Sequence, residues 1–220
     1  SGAKVKAAII PSKGWMDVGQ PWDLLEANAR ALNCLSSSIN GDMEDAVRIH
    51  GPVHIEKGAR IRSGAYIEGP AFIGSGSDIG PNCYIRPYTS IGSGVRIGNA
   101  CEVKNSIIMD GSHIAHLSYV GDSVIGESCN LGAGTITANI RFDKKNVKMN
   151  IKGIRVDSGY RKLGAVVGDN AQTGINVSLL PGIKIGSGAW VSPGLIVQDD
   201  VPSGYFLKNE GSVPRKDMDD

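Results

Sequence analysis

Residues 113–122 read HIAHLSYVGD, which places His113, His116, Ser118 and Tyr119 within seven positions. An imidazole titrates where it can take a proton from a nucleophile near neutral pH, so this segment is a candidate for general-base chemistry. The spacing of His113 and His116 would also suit a metal pair. No third ligand follows at a suitable interval, and Cys34, Cys83, Cys101 and Cys129 show neither CxxC pairing nor zinc-ligand spacing. No metal site is expected. A second chemically loaded stretch is residues 139–163, where Arg141, Lys144, Lys145, Lys148, Lys152, Arg155, Arg161 and Lys162 face only Asp143 and Asp157. That is a net +6 in a chain whose total is +1. Such a segment either faces an anion or is a solvated loop. Between the two, Gly132, Ala133 and Gly134 offer a corner where backbone can approach a ligand closely.

The elements that must hold these residues follow from a repeat. An aliphatic side chain returns every sixth position from Ile49 through Ile55, Ile61, Ile67, Ile73, Ile79, Ile85, Ile91 and Ile97 to Val103. The register resumes from Val167 through Thr173, Leu179, Ile185 and Val191 to Val197. Two residues before most of the first set sits a mostly small side chain, as at Ala59, Ala65, Ala71, Ser77, Cys83, Thr89, Val95 and Cys101. A helix cannot repeat at six, because its period is 3.6. Six residues make a short strand and a turn, and three such units close a triangular coil. Stacked coils then form parallel strands about 4.8 Å apart around one apolar column. Cys83 and Cys101, eighteen apart, are read as small core residues in adjacent coils. Before the coils, PWDLLEANARALNCL carries Leu24, Leu25, Asn28, Leu32 and Leu35 at helical spacing after Pro21, predicting a helix over about 22–35. After residue 202 the chain turns polar, and a frayed tail is expected.

With 41% hydrophobic residues and 20% charged residues that nearly cancel, the chain can bury a core and has no global pull toward nucleic acid or membrane. No apolar run is long enough for a membrane span, and SGAKVKAAII lacks the apolar stretch of a signal peptide. A cytoplasmic protein with free thiols is expected.

The hexads resemble those of the hexapeptide-repeat family, which implies an all-β, left-handed parallel β-helix with the short helix at its N-terminal side, and a homotrimer. Two longer segments sharpen this. GWMDVGQPWDLLEAN (14–28) resembles the closing segment of sugar-1-phosphate nucleotidylyltransferases. HIAHLSYVGDSVIGESCNLGAGTITAN (113–139) resembles the acetyltransferase half of bifunctional N-acetylglucosamine-1-phosphate uridylyltransferases, in a version similar to archaeal ones. The resemblance implies acetyl-CoA-dependent N-acetylation of glucosamine 1-phosphate or galactosamine 1-phosphate. It also implies that the chain is the C-terminal part of a two-headed enzyme, because the glycine-rich nucleotide-phosphate loop of the other head is not in this sequence. Asp17 matches a metal-binding aspartate of that head and is stranded here without its partners.

The resemblance assigns His116 as the base. It assigns Arg86, Lys104 and Tyr119 to the substrate phosphate, Asn130 and Asn139 to sugar hydroxyls or the amine, and the amide of Ala133 to the acetyl oxygen. Lys145 and Lys148 are further phosphate candidates, and His113 has no counterpart. The family's aromatic after the second asparagine is Ile140 here, and its small residues near coenzyme A fall on Ile175 and Pro193, beside the stretch 173–193 where the pantetheine arm is expected. The organisation read is a nucleotidylyltransferase remnant at 1–20, a connecting helix and linker at 21–46, the β-helix at 47–201 and a tail at 202–220. Two other readings stand beside the acetyltransferase. One is a catalytically silent trimerising β-helix module. The other is a hexapeptide-repeat carbonic anhydrase, whose three zinc histidines His50/His54 and His113/His116 are too far apart to supply within one subunit.

Overall fold

The computed structural model describes residues 4–9 and 14–215. The hexads form a parallel β-solenoid with three faces. Among the described residues the first face stacks eight strands from Ser38–Ile39 to Lys184–Ile185, and the third stacks eight from Arg48–His50 to Ile196–Val197. The second runs from Asp42–Met43 through Trp190–Val191 and ends in a hairpin. Each aliphatic lies opposite its counterpart one coil away, as in Ile49 on Ile67 and Ile67 on Ile85. The columns from Ile55 to Leu131 are almost wholly buried, each such side chain contributing about 1.5–3 kcal/mol. The small residues two positions earlier are buried as well, Ala59, Ser77, Thr89 and Cys101 among them.

The period is not six throughout. Val103 pairs with Val120 and Ile108 with Ile125, seventeen residues apart instead of eighteen. The missing residue is taken out at the corner from the third face to the first, where Asn105 (φ 44°) and Asp122 (φ 51°) turn through the left-handed region. Asn and Asp tolerate that conformation better than most side chains.

Helix α1 runs over Asp23–Asn33, slightly shorter than the sequence pattern suggests. Its start is held by the Asp23 carboxylate, which accepts from the amides of Gly19 (3.0 Å) and Gln20 (2.8 Å). Leu25 and Leu32 are buried. The basic segment is not an open loop. Its strands Lys148–Ile151 and Ile154–Asp157 form an antiparallel hairpin, and Val147, Met149 and Leu163 join Trp22, Leu25 and Val124 in a second hydrophobic cluster.

The tail also differs from expectation. Tyr205–Lys208 adds to Trp190–Val191 and turns back as Gly211–Pro214. The reason is aromatic. Phe206 packs edge-on to Trp190 at 5.9 Å, and the Arg215 guanidinium lies 3.6 Å over the Trp190 ring. This hairpin covers the last strand edge of the second face, which would otherwise present unpaired backbone groups. Residues 1–3, 10–13 and 216–220, which complete the N-terminal and C-terminal segments read from sequence, lie outside the described residues.

Candidate active site

The candidate residues occupy two corners of the solenoid, on either side of the third face. At the corner between the second and third faces, His116 ends the strand His113–His116 with its side chain exposed. Its main-chain carbonyl accepts from the amide of Gly134 (3.1 Å) and the hydroxyl of Ser118 (2.7 Å). Because Ile114 pairs with Leu131, Leu131 with Thr173 and Thr173 with Val191, the positions His116, Ala133, Ile175 and Pro193 fall in one column along successive coils. The residue assigned as the base and the amide assigned to the acetyl oxygen are thus neighbours one strand spacing apart. The Ala133 carbonyl accepts from Asn176 (2.7 Å), and its N–H makes no hydrogen bond among the described residues. The flanking glycines have a packing reason of their own. A Cβ on Gly132 would lie 2.5 Å from the backbone of Gly174, and one on Gly134 (φ 74°) 2.3 Å from Asn176 Oδ1.

At the corner between the third and first faces the side chains converge on a residue that the sequence reading passed over, Asp122. Its side chain is 5% exposed. It accepts from Lys104 Nζ at 3.2 Å (Oδ1) and 3.0 Å (Oδ2), from Asn105 Nδ2 at 2.7 Å (Oδ1), and from Asn139 Nδ2 (Oδ2). Asn139 Nδ2 also donates to the Tyr119 hydroxyl at 3.1 Å. Burial, with Asp122 and Glu102 nearby, pushes the Tyr119 phenol above its ordinary range, so it stays protonated and keeps its O–H to donate.

Arg86 stands in the neighbouring coil. Its guanidinium donates to Glu102 (2.8 Å) and lies 5.5 Å over the Tyr84 ring. Its Nε is buried and has no partner among the described residues. Glu102 is the strand neighbour of both Tyr84 and Tyr119, so Arg86, Lys104 and Tyr119 share one face.

Three assigned residues do not join this group within one chain. Asn130 is exposed on the second face between His113 and Gln172. Lys145 is exposed in the basic segment, where its amide donates to Asp143 (3.2 Å). Lys148 is exposed on the hairpin opposite Asp157. Beside Asn139 a groove of about 470 Å³ opens between Ala138, Ile140 and Arg155 and the later-coil residues Leu180 and Pro181. The signal that could have exposed Asp122 is the five-residue step from Val120 to Ile125, which puts a carboxylate inside a shortened corner.

A family described as GMPPB C-terminal domain matches residues 67–158. A bifunctional sugar-1-phosphate nucleotidylyltransferase/acetyltransferase of Sulfurisphaera tokodaii is 56% identical over 205 residues, 92% of this chain and 51% of the relative. The chain is a homologue of these bifunctional proteins. Bifunctional protein GlmU of Methanocaldococcus jannaschii is likewise 52% identical over 203 residues, 92% of this chain and 50% of that protein. The chain therefore spans about half the length of the curated relatives it matches, and it corresponds to their C-terminal part. Among solved structures, the UDP-N-acetylglucosamine acyltransferase of Campylobacter jejuni superposes with a TM-score of 0.52 at 15% identity. The match covers 75% of this chain and 70% of that one, a likeness of fold. No helix among the described residues is long and apolar enough to cross a membrane.

Proposed function

We propose that this chain is the acetyltransferase part of a bifunctional sugar-1-phosphate nucleotidylyltransferase/acetyltransferase, moving an acetyl group from acetyl-CoA to the amine of glucosamine 1-phosphate or galactosamine 1-phosphate in the cytoplasm. The observation that carries the reading is the grouping of Lys104, Asn139 and Tyr119 around Asp122, with Arg86 on the same face, one strand length from the His116–Ala133 corner. A strand of three residues spans about 10 Å, and because an amino-sugar 1-phosphate carries its phosphate and its amine on adjacent carbons, the long side chains of Arg86, Lys104 and His116 would reach in over the third face to meet both groups of one sugar.

Arg86, Lys104 and the free Tyr119 O–H supply a guanidinium, an ammonium and a hydroxyl to phosphate oxygens. The unpartnered Arg86 Nε is a further donor suited to an oxyanion. His116 takes the proton of the amine as its nitrogen attacks the thioester carbonyl, and the Ala133 N–H donates to the oxygen on which negative charge develops. Collapse breaks the C–S bond, and the proton held by His116 passes to the departing thiolate. The column Ala133, Ile175 and Pro193 supports a pantetheine arm lying along the coils. Asn130, Lys145 and Lys148 fit a site completed by neighbouring subunits of a homotrimer, since they project away from the cluster of their own chain.

Thiol release from acetyl-CoA, measured with a panel of amino-sugar 1-phosphates, tests the reading. Release with one epimer or both is expected. Background release with all of them would leave the chain as a trimerising module without catalysis, and a clean monomer in sedimentation at micromolar concentration would remove the shared site.

A further inference from the structure

We propose that Asp122 is the positioning residue of the acceptor site, setting the place of one side chain and the hydrogen-bonding sense of two others. The proposal rests on the reading of Lys104, Tyr119 and Asn139 as acceptor-binding groups. A carboxylate is an acceptor only, and this one has both oxygens doubly engaged. Oδ1 takes Lys104 and Asn105, and Oδ2 takes Lys104 and Asn139.

The consequences run outward from that buried charge. One amide hydrogen of Asn139 goes to Asp122 and the other to the Tyr119 oxygen. The Asn139 amide is thereby fixed with its Oδ1 free, and that atom makes no hydrogen bond among the described residues. Asn139 can then only accept from the acceptor molecule, which suits an N–H or O–H of the sugar. Tyr119, already accepting from Asn139, has its own hydrogen left to give, which suits a phosphate oxygen. Lys104, tied to both carboxylate oxygens, has its ammonium held at a fixed place with hydrogen-bonding capacity to spare. An asparagine at position 122 would be able to donate, so it could turn the Asn139 amide over and offer the acceptor a donor where it needs an acceptor.

The backbone is arranged to keep the carboxylate there. Asp122 sits at φ 51°, its amide donates to the Lys104 carbonyl (2.9 Å), and its carbonyl accepts from Gly164 (2.8 Å). Gly121, just before it, leaves room for the Tyr119 ring, since a Cβ there would lie 2.3 Å from the Tyr119 hydroxyl and would push it aside. The shortened corner thus serves to bring Asp122 against Lys104 and Tyr119.

The test compares Asp122→Asn and Asp122→Glu with the unmodified protein. Asp122→Asn should raise the KM for the amino-sugar 1-phosphate about 10- to 100-fold and leave the KM for acetyl-CoA within about twofold. Asp122→Glu keeps the charge but displaces it by one methylene, and it should give an intermediate rise in the same KM. In a Lys104→Ala/Asn139→Ala background, Asp122→Asn should add less than about twofold. If Asp122→Glu matched the unmodified protein, charge balance alone would account for the residue and the proposal would fall. It would fall equally if both KM values rose together. A readout without turnover separates this idea from the activity itself. The Lys104 ammonium should give a slowly exchanging nitrogen-15 NMR signal in the ligand-free protein that is lost in Asp122→Glu, and an unchanged signal would overturn the positioning role even if the chain acetylates nothing.

Discussion

His116→Ala is the sharpest probe of the chemistry, because the structure separates the role of the imidazole from the fold. The side chain is exposed, and the hydrogen bonds that tie residue 116 into the corner use its main-chain carbonyl, which accepts from Gly134 and Ser118. Alanine keeps both. The inward neighbour Ile114, fully buried, carries the packing of that strand. The melting temperature should therefore stay within about 1 °C of the unmodified protein, as for exposed substitutions away from packed features. Loss of a general base lowers the rate about 10²–10⁴-fold, which at about 1.36 kcal/mol per tenfold is roughly 3–5 kcal/mol of barrier. The proposed phosphate-binding side chains Arg86, Lys104 and Tyr119 are untouched, so the fall belongs in kcat, with the KM for the amino-sugar phosphate little changed. The assay is thiol release at saturating acetyl-CoA. His113→Ala is the control, since His113 is exposed on the same strand and faces Arg96 and Asn130 in register. Full activity in a folded His116→Ala protein would refute the mechanism. Equal losses in both variants would mean that the strand, and not a base, had been damaged.

The stacking of coils makes two glycines diagnostic. At Gly98 a Cβ would lie 1.8 Å from the Ala115 carbonyl oxygen, so Gly98→Ala should cost at least about 3 kcal/mol in denaturant unfolding. Gly94→Ala enters open space at φ 64° and should cost only about 1–2 kcal/mol. A smaller loss at Gly98 than at Gly94 would contradict the coil register. The thiols give a third check. Burial pushes Cys83 up to about 12 and raises Cys101 and Cys129, while Cys34 is exposed. At pH 8 a thiol reagent should titrate about one group per native chain, and all four cysteines of the sequence should react after denaturation. Rapid native reaction of more than one would contradict the buried placement of the other three.

The solenoid was legible because its determinant is local and repeated. Each hexad needs an inward aliphatic and a small inward partner, and those types stand in the sequence from Ile49 to Val103. His116, Lys104, Tyr119 and Asn139 were named through family resemblance, and the structure gathers the last three around Asp122 while His116 stands at the other corner of the third face. Asp122 was not found, because a carboxylate in a Gly-Asp corner looks like any turn residue until the shortened register shows which side chains it meets. The hairpin within 139–163 escaped for a different reason. Its buried residues Val147, Met149 and Leu163 do not join the inward column of the repeat but pack with Val124 of the first face and with Trp22 and Leu25, which are distant in sequence. The ordered end at 205–215 depends likewise on Trp190, a contact that the polar composition of that stretch conceals.

Helix α1 completes the account of how the site is held. Its Asn28 donates to the carbonyl of Tyr88 (2.9 Å) and accepts from the Ser90 hydroxyl (2.5 Å). Tyr88 turns at φ 66° two residues after Arg86, so the helix pins the corner that follows one phosphate-binding candidate. On its other side, Glu26 accepts from the Tyr160 hydroxyl (3.1 Å), and Leu25 packs with Val147, Met149 and Leu163 of the basic excursion. Asn105, which donates to Asp122, lines the same small cavity as Trp22, Leu25 and Tyr160. A displacement of α1 would therefore be felt at the Arg86 corner, at the base of the hairpin and, through Asn105, at the carboxylate that orients Lys104 and Asn139. These three places belong to separate segments of the chain, and the segment just ahead of the solenoid borders all of them, which ties it structurally to the proposed acceptor site.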